Sequence, residues 1–269
     1  MTSFAAAWLA LREPYDLAAR NATVLDAVAD AFLDQTSISV ADLACGTGAT
    51  LRAVGPHLPP RQRWQLVDNN LSLLAQVPMR GPSPHVTLVT RPVDLARDLE
   101  LALDGPLDLI TTSALLDLVS AEWLDRLIVE AAARRLPVYA ALSYDGRVRI
   151  EPAEAFDAQI LSGFNLHQRT DKGFGPALGP DAAARSVERL EHFGFNVVHG
   201  RSDWRFGPAD RAIQDALFAG WAEVAATSAP LSGSAINAWL GRRRAHLAQG
   251  RSSLQVGHLD IFARPIAMR

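Results

Sequence analysis

The stretch ISVADLACGTGATLRAV, residues 38–54, decides how the fold of this chain is interpreted. Its apolar first part, from Ile38 to Asp42, predicts a buried β-strand. A loop of small residues with glycines at positions 46 and 48 follows, and the next residues favour a helix. A strand, a glycine-containing loop and a helix in this order are typical of sites that hold a phosphate, a dinucleotide or an adenosyl compound.

Two of these three ligand classes fit the loop poorly. A Walker-type phosphate loop requires a lysine and a Ser or Thr directly after its glycines, whereas residues 49–51 are Ala, Thr and Leu. A dinucleotide-binding loop, G-x-G-x-x-G, is matched only weakly, by counting Ala44, Gly46 and Ala49. Asp42, just before the loop, would repel a pyrophosphate but would suit an ammonium or sulfonium group.

The composition is that of an ordinary globular chain with an apolar core. Its 269 residues are 49% hydrophobic and 20% charged, and the formal net charge of −3 provides no general attraction for nucleic acid or an anionic membrane. Cys45 is the only cysteine, which excludes an internal disulfide, and the seven histidines form no pattern of metal ligands. The start, MTSFAAAWLALREP, lacks the basic flank of a secretory signal, and no stretch is apolar for long enough to span a bilayer. We therefore expect a cytoplasmic protein without a bound metal.

Short apolar segments alternate with helical patterns through the first half of the chain. Because each predicted strand is almost continuously apolar, the pattern favours a parallel sheet covered by helices on both faces. We therefore predict a doubly wound α/β fold, a mostly parallel seven-stranded sheet with a helical cap, in a single domain over residues 1–269. An N-terminal helical segment, residues 1–35, is predicted to contain an amphipathic helix over 16–34, and a core over 36–145 follows it. An insertion or lid is predicted over about 146–180 and begins with a hairpin at Asp145-Gly146. A helical insertion over about 209–249 precedes the last strand.

The sequence DLACGTGATL, which begins at Asp42, resembles motif I of the class I S-adenosylmethionine (SAM) dependent methyltransferases, whose usual form has glycine at the position of Ala44. The resemblance covers about residues 16–145 in order. It implies a Rossmann-like methyltransferase fold, with SAM as the cofactor and S-adenosylhomocysteine as its product. It also implies that Asp68, at the end of the second strand, binds the ribose hydroxyls and that Asp94, after the third strand, lies near the adenine.

The same resemblance gives the other expected cofactor contacts. The end of the fourth strand would lie under the methionine moiety of SAM. The N-terminal segment could cover the cofactor through Tyr15 and Arg20, and Arg20 either pairs with the cofactor carboxylate or lies on a solvated helix face. The full set of expected cofactor-binding residues is Tyr15, Arg20, Asp42, Ala44, Cys45, Gly46, Thr47, Gly48, Asp68, Asn69, Asp94, Leu95, Ser113 and Ala114.

Polar residues that could serve the methyl acceptor are concentrated in FNLHQRTDKGFGPALG, residues 164–179. Such loops carry function more often than core segments do, and this one either closes as a lid or is an exposed connector whose glycines set turns. We interpret His167 as a general base and Lys172 as a partner for an acidic acceptor. Asp117, after the fourth strand, is a further candidate for binding or catalysis.

The sequence favours a small-molecule acceptor that is methylated at oxygen, nitrogen or carbon. Enzymes that methylate nucleic-acid bases often carry Asn/Asp-Pro-Pro-aromatic after the fourth strand, where this chain has TSALLDL, residues 112–118. The only basic run, GRRRAH at 241–246, fits a solvated helix face. We expect a monomer or homodimer that binds neither nucleic acid nor membrane. Two alternatives remain open: a SAM-binding regulatory or partner-binding protein without methyl transfer, and an NAD-dependent α/β enzyme.

Overall fold

The computed structural model describes residues 6–78, 81–228 and 230–266. Two helices begin the described part, α1 (Ala6–Ala19) and α2 (Ala22–Ala31). The single helix predicted over 16–34 is therefore wrong. The chain breaks at Asn21, whose side-chain oxygen accepts a hydrogen bond from the Val24 N–H (3.1 Å) and so caps a new helix. Residues 1–5 of the predicted N-terminal segment lie outside the described residues.

Strands and helices then alternate as the sequence predicts. The elements of the first half are β1 (Ser37–Leu43), α3 (Ala49–Val54), β2 (Arg61–Asp68), α4 (Leu71–Leu74), β3 (Val86–Pro92), α5 (Leu99–Ala102), β4 (Leu109–Ser113), α6 (Ala121–Ala133) and β5 (Val138–Glu151). The elements of the second half are α7 (Asp157–Gln168), α8 (Ala182–His192), β6 (Phe195–Arg201), β7 (Trp204–Phe206), α9 (Arg211–Ser228), α10 (Gly233–Ala248) and β8 (Ser253–Pro265).

These strands form one sheet in the order β3-β2-β1-β4-β5-β8-β6, and β7 pairs with β8. The neighbours among β1 to β5 run parallel, whereas β8 runs antiparallel to β5, β6 and β7. Within the described ranges the sheet has eight strands instead of the seven predicted, because the short β7 adds one beside β8. The doubly wound, mostly parallel α/β fold is confirmed.

The strand order reverses at β1. The chain adds β2 and β3 on one side of β1 and then places β4 and β5 on the other side. In open α/β sheets, ligands bind beyond the carboxyl ends of the strands at such a reversal. The loops that follow β1, β2 and β4 therefore border one crevice.

Apolar side chains cover both faces of the sheet. One face packs against α6 and α8, with Trp123 and Leu190 in its core, and the other packs against α2 and α3, with Val28 and Val54. A third cluster, which includes Trp239, joins α9 and α10 to the ends of β5, β7 and β8. Helices α9 and α10 thus lie in the range 209–249 before the last strand.

The predicted hairpin at Asp145-Gly146 is wrong, because β5 continues through these residues to Glu151. Tyr144 pairs with His258, and the next paired residues are Val148 and Val256, so three residues of β5 stand opposite one residue of β8. Gly146 takes a left-handed φ of +83° in this irregularity. The Asp-Gly signal here marks a β-bulge, which needs the same backbone freedom as a tight turn.

Candidate active site

A cavity of about 650 Å³ lies at the carboxyl ends of β1, β2 and β4, where the sheet topology predicts a ligand site. Eleven of the residues predicted for cofactor or acceptor line it, namely Ala44, Cys45, Gly46, Thr47, Asp68, Asn69, Asp94, Leu95, Ser113, Ala114 and Lys172. Other residues complete the wall, chiefly Leu9, Arg12 and Asp16 from α1, Asn70 and Leu71 after β2, Leu115 and Leu118 after β4, and Phe174.

The glycine-containing loop bends sharply where it meets the cavity. Ala44, Gly46 and Gly48 all have left-handed φ values, +54°, +55° and +83°. A Cβ on Gly46 would lie 3.2 Å from the Leu9 side chain, so α1 packs closely over this loop. Gly48 is the N-cap of α3 and does not line the cavity, hence it shapes the turn without touching a ligand there. Alanine in a left-handed conformation costs about 1–2 kcal/mol, so Ala44 carries strain that glycine would not.

Asp68 is held by the backbone on both sides. Its Oδ2 accepts a hydrogen bond from the Gly46 N–H (2.9 Å) and its Oδ1 accepts one from the Asn70 N–H (2.9 Å). A carboxylate offers about four acceptor positions, so lone pairs remain for hydroxyl groups in the cavity. The carboxylate thus ties the β1 loop to the β2 loop and presents a fixed acceptor at the wall.

The next part of the wall is fixed in a similar way. Asp94 Oδ1 accepts a hydrogen bond from the Ala96 N–H (3.1 Å), and Asp94 forms an ion pair with the exposed Arg97 (3.3 Å). The Leu95 carbonyl accepts a hydrogen bond from Trp123 Nε1 (2.6 Å), so α6 positions this segment. A carboxylate and a buried leucine therefore stand side by side where the resemblance expects an adenine.

Asp42 does not line the cavity, in contrast to the interpretation that it faces a cationic ligand group. It is fully buried beneath the loop, and its Oδ1 accepts a hydrogen bond from Thr111 Oγ1 (2.8 Å). Its Oδ2 has no hydrogen-bond partner in the described part of the chain. Burial raises the pKa of this carboxyl to about 7. The residue ends the buried strand β1, and the loop backbone separates it from the cavity.

Arg20 also lies behind the wall and not over the cofactor position. Its buried guanidinium donates to Ser113 Oγ (3.0 Å) and to the Tyr139 hydroxyl (3.2 Å). It therefore supports Ser113, which does line the cavity. Tyr15 points elsewhere: its hydroxyl donates to Asp210 (2.8 Å), and its ring does not line the cavity.

Helix α1 contributes a different set of residues. Leu9, Arg12 and Asp16 stand three and four positions apart, so they share one face of the helix, and that face borders the cavity. Arg12 Nε donates to Asp16 Oδ2 (2.8 Å), and Trp204 Nε1 donates to Asp16 Oδ1 (2.9 Å). The helical spacing was a signal that could have identified this face, but the sequence alone does not show that α1 reaches the sheet edge.

The residues predicted for the acceptor are only partly brought together. Lys172 lines the cavity, whereas His167 and Asp117 do not. Lys172 Nζ lies 3.0 Å from His167 Nδ1, and desolvation together with this positive charge lowers the pKa of His167. Asp117 is buried in the turn 116–118 after β4, and burial raises its pKa to about 6. Neither group reaches the cavity wall, because helix α7 holds His167 and the turn encloses Asp117.

The segment 169–178 forms one side of the cavity. Asp171 Oδ1 accepts hydrogen bonds from the Gly173 N–H (2.6 Å) and the Gly175 N–H (3.0 Å), which sets its turn. The Leu178 N–H donates to the Val119 carbonyl (2.8 Å) and attaches the segment to the region after β4. Lys172 and Phe174 are thereby placed at the cavity.

The described ranges also bear on metal binding and on membrane insertion. No group of three or more His, Cys, Asp and Glu side chains in these ranges is arranged to hold a metal ion. None of the helices in these ranges is both long enough and apolar enough to cross a membrane.

Comparison with known proteins supports the fold. No family model and no curated protein sequence matches the chain. A cyclopropane-fatty-acyl-phospholipid synthase-like protein from Lactobacillus casei has a similar structure, with a TM-score of 0.51 and 15% sequence identity over 97% of this chain and 94% of that one. A candidate type II methyltransferase from Anaeromyxobacter dehalogenans is similar with a TM-score of 0.51 and 16% identity, over 92% and 97% of the two chains. The chain therefore has the fold of the class I SAM-dependent methyltransferases.

Proposed function

We propose that the protein is a methyltransferase of the EC 2.1.1 class that transfers a methyl group from SAM to a small-molecule acceptor. The observation that carries the proposal is the position of Asp68 at the cavity wall. Its carboxylate is fixed by two backbone N–H groups, one of them from the glycine-containing loop, and it ends the strand next to β1. A rigid carboxylate in this position suits the two vicinal hydroxyls of an adenosyl ribose.

The charges along the cavity support an adenosyl compound over a dinucleotide. Asp68 and Asp94 line the end beside β2 and β3, and a pyrophosphate there would meet two carboxylates. In the described part of the chain, the only basic residues that line the cavity are Arg12 and Lys172, which come from α1 and from the segment 169–178. The volume of about 650 Å³ is within the ordinary range for cavities that bind cofactors and small molecules.

Different residues of the cavity wall would bind different parts of SAM. Asp68 and Asn69 would hold the ribose, and Asp94 with Leu95 would border the adenine. The loop at 44–47 and the end of β4 would hold the methionine moiety. Bound SAM would supply a methyl group on a positively charged sulfonium.

The protein's part in the transfer is alignment and exclusion of water. Leu115, Leu118 and Phe174 give the cavity an apolar lining, which would limit the water around a bound ligand. His167 stands outside the wall, so we assign it no proton transfer. The cavity lining suits an acceptor whose nucleophilic atom is held in line with the methyl group. Orientation alone lowers the activation free energy of such a displacement substantially.

Calorimetric titration with S-adenosylhomocysteine, with NAD as the control ligand, tests the proposal. We expect micromolar binding of the first and none of the second. Binding of NAD alone would refute the proposal and favour a dehydrogenase. If S-adenosylhomocysteine binds but no SAM is consumed with a broad panel of acids, phenols and amines, the protein is a SAM-binding module without methyl transfer.

A further inference from the structure

Two cationic side chains line the cavity, whose wall also includes the apolar Leu115, Leu118 and Phe174. Arg12 reaches it from α1, and its charge lowers the pKa of Asp117 in the turn between the two leucines. Lys172 reaches it from the segment 169–178, next to Phe174 in the sequence. The proposed transfer of a methyl group needs no cation in this place, so the two charges call for a separate explanation.

Arg12 has unused hydrogen-bonding capacity. Its Nε donates to Asp16, whose other oxygen is occupied by Trp204, and its guanidinium lies over the Trp204 ring, 5.1 Å from the centroid. Its two terminal nitrogens, Nη1 and Nη2, have no hydrogen-bond partner within residues 6–78, 81–228 and 230–266, although only 12% of the side chain is exposed. A guanidinium oriented by one carboxylate thus offers the cavity a two-pronged donor edge that matches the geometry of a second carboxylate.

Lys172 is a cation without an ionic partner. It is the only lysine of the chain. Its Nζ lies 2.9 Å from the His167 carbonyl oxygen, 3.0 Å from Thr170 Oγ1 and 3.0 Å from His167 Nδ1, so a carboxylate bound by Lys172 would replace one of these contacts. It forms no ion pair with any carboxylate in the described part of the chain. Desolvation lowers its pKa, so an anion beside it would gain more than in water.

The cavity wall carries charges of both signs. Asp68 and Asp94 are the acids beside β2 and β3, and Asp16 is neutralised by Arg12. Lys172 has no carboxylate partner among the described residues, so an anionic acceptor would gain from it more than a neutral one would.

We infer that the methyl acceptor is a small carboxylic acid with an apolar body, whose carboxylate is bound by Arg12 and Lys172 while the body packs on Leu115, Leu118 and Phe174. The inference rests on the proposed function, because it names the substrate class of the same cavity. It assigns Arg12 and Lys172 to substrate selection.

The test begins with protein saturated with S-adenosylhomocysteine. Its binding of four acids, namely benzoate, phenylacetate, octanoate and succinate, is compared by ligand-observed NMR with binding of the four corresponding amides. We expect at least one of the three acids with an apolar body to bind about tenfold more tightly than its amide, because charge-assisted hydrogen bonds to a carboxylate are lost in the amide. Amides that bind as tightly as the acids, or the absence of binding by any acid, would overturn the inference while the proposed function stands. Failure of S-adenosylhomocysteine itself to bind would overturn both.

Variants distinguish the two cations from general effects on folding. Lys172→Met and Arg12→Lys should each remove a large part of the tenfold preference for the acid. Lys172→Met leaves no buried carboxylate unpaired, so it keeps the test valid if Arg12→Lys fails to fold. Arg169→Gln is the matched control, because Arg169 lies on the same segment, pairs with the exposed Asp181 and does not line the cavity. An equal loss of acid preference in this control would refute the assignment of Lys172.

The cofactor's own carboxylate is a second possible partner for Arg12, and one measurement separates the two sources. Arg12→Lys is titrated with S-adenosylhomocysteine and with 5′-methylthioadenosine, which lacks the amino-acid portion. We expect both affinities to stay near those of the unmodified protein. A loss of at least tenfold for S-adenosylhomocysteine alone would assign Arg12 to the cofactor and overturn its role in selecting the acceptor.

Discussion

Replacing Asp68 with alanine tests the proposed SAM site most directly. The structure gives this carboxylate two backbone hydrogen bonds of 2.9 Å, which leaves about two of its four acceptor positions for the ribose hydroxyls. A hydrogen bond to a charged group contributes about 1.5–3 kcal/mol. Asp68→Ala should therefore weaken S-adenosylhomocysteine binding by about 1.5–3 kcal/mol, which is about 10- to 150-fold in Kd.

The assay is calorimetric titration with a pair of ligands, 5′-methylthioadenosine and its 2′-deoxy counterpart. The unmodified protein should prefer the ribose form, and Asp68→Ala should lose most of this preference. Asp68→Asn should also bind weakly, because one of its two terminal atoms is a donor that meets a backbone N–H. Asp104→Ala, at an exposed position outside the cavity, is the matched control. If Asp68→Ala binds as tightly as the control, or keeps the preference for ribose, Asp68 is not the ribose ligand.

Three further predictions concern residues around the cavity. Ala44→Gly should raise the free energy of unfolding in urea by up to about 1 kcal/mol. Relief of the left-handed strain at position 44 (about 1–2 kcal/mol) exceeds the cost of the conformational entropy that glycine adds to the unfolded chain (about 0.5–1 kcal/mol). A lower urea midpoint in the variant would refute this. Burial raises the pKa of Asp42 to about 7, so the folded protein keeps a proton that the unfolded chain releases near pH 4, and stability should fall as the pH rises from about 4 to 7. Asp42→Asn should reduce the loss of unfolding free energy between pH 5 and pH 8. An equal loss in the variant would exclude Asp42 as the cause of the pH dependence. His167→Ala should leave S-adenosylhomocysteine affinity within about twofold, since the ring lies outside the cavity, and a larger loss would return His167 to the site.

The fold was predictable because hydrophobic patterns report burial directly. Continuously apolar strands alternating with helical patterns permit little besides a parallel sheet with two covered faces. The errors lie where one local signal serves two structures. Asn21 was included in a helical pattern, but its side chain caps a second helix. Asp145-Gly146 reads as a tight turn, but the same backbone freedom serves a bulge when a partner strand continues beside it. Whether a turn or a bulge forms depends on the partner strand β8, whose residues lie more than a hundred positions later in the sequence.

The cavity residues that follow parallel strands were more predictable than those on helices, for a topological reason. Residues directly after parallel strands meet at one edge of the sheet, so Gly46, Asp68 and Ser113 could be brought together from their positions alone. Arg12 and His167 lie on helices outside that pattern. Their places depend on how α1 and α7 pack, and polarity in a segment does not say which side chain faces the cavity.

The buried layer behind the cavity includes Asp42, the acid at the end of β1, and the guanidinium of Arg20. Arg20 lies within electrostatic range of Asp42, which ends β1, and of Asp260 on β8, and it donates to Ser113 at the end of β4. One buried guanidinium thus links three neighbouring regions of the sheet edge, and its removal would leave the buried Asp260 without a compensating charge. Arg20 also holds a cavity residue, Ser113, in place. A variant such as Arg20→Met should therefore destabilise the fold by about 3–5 kcal/mol and loosen the cofactor wall together, whereas a direct cofactor ligand would lose affinity with the fold intact.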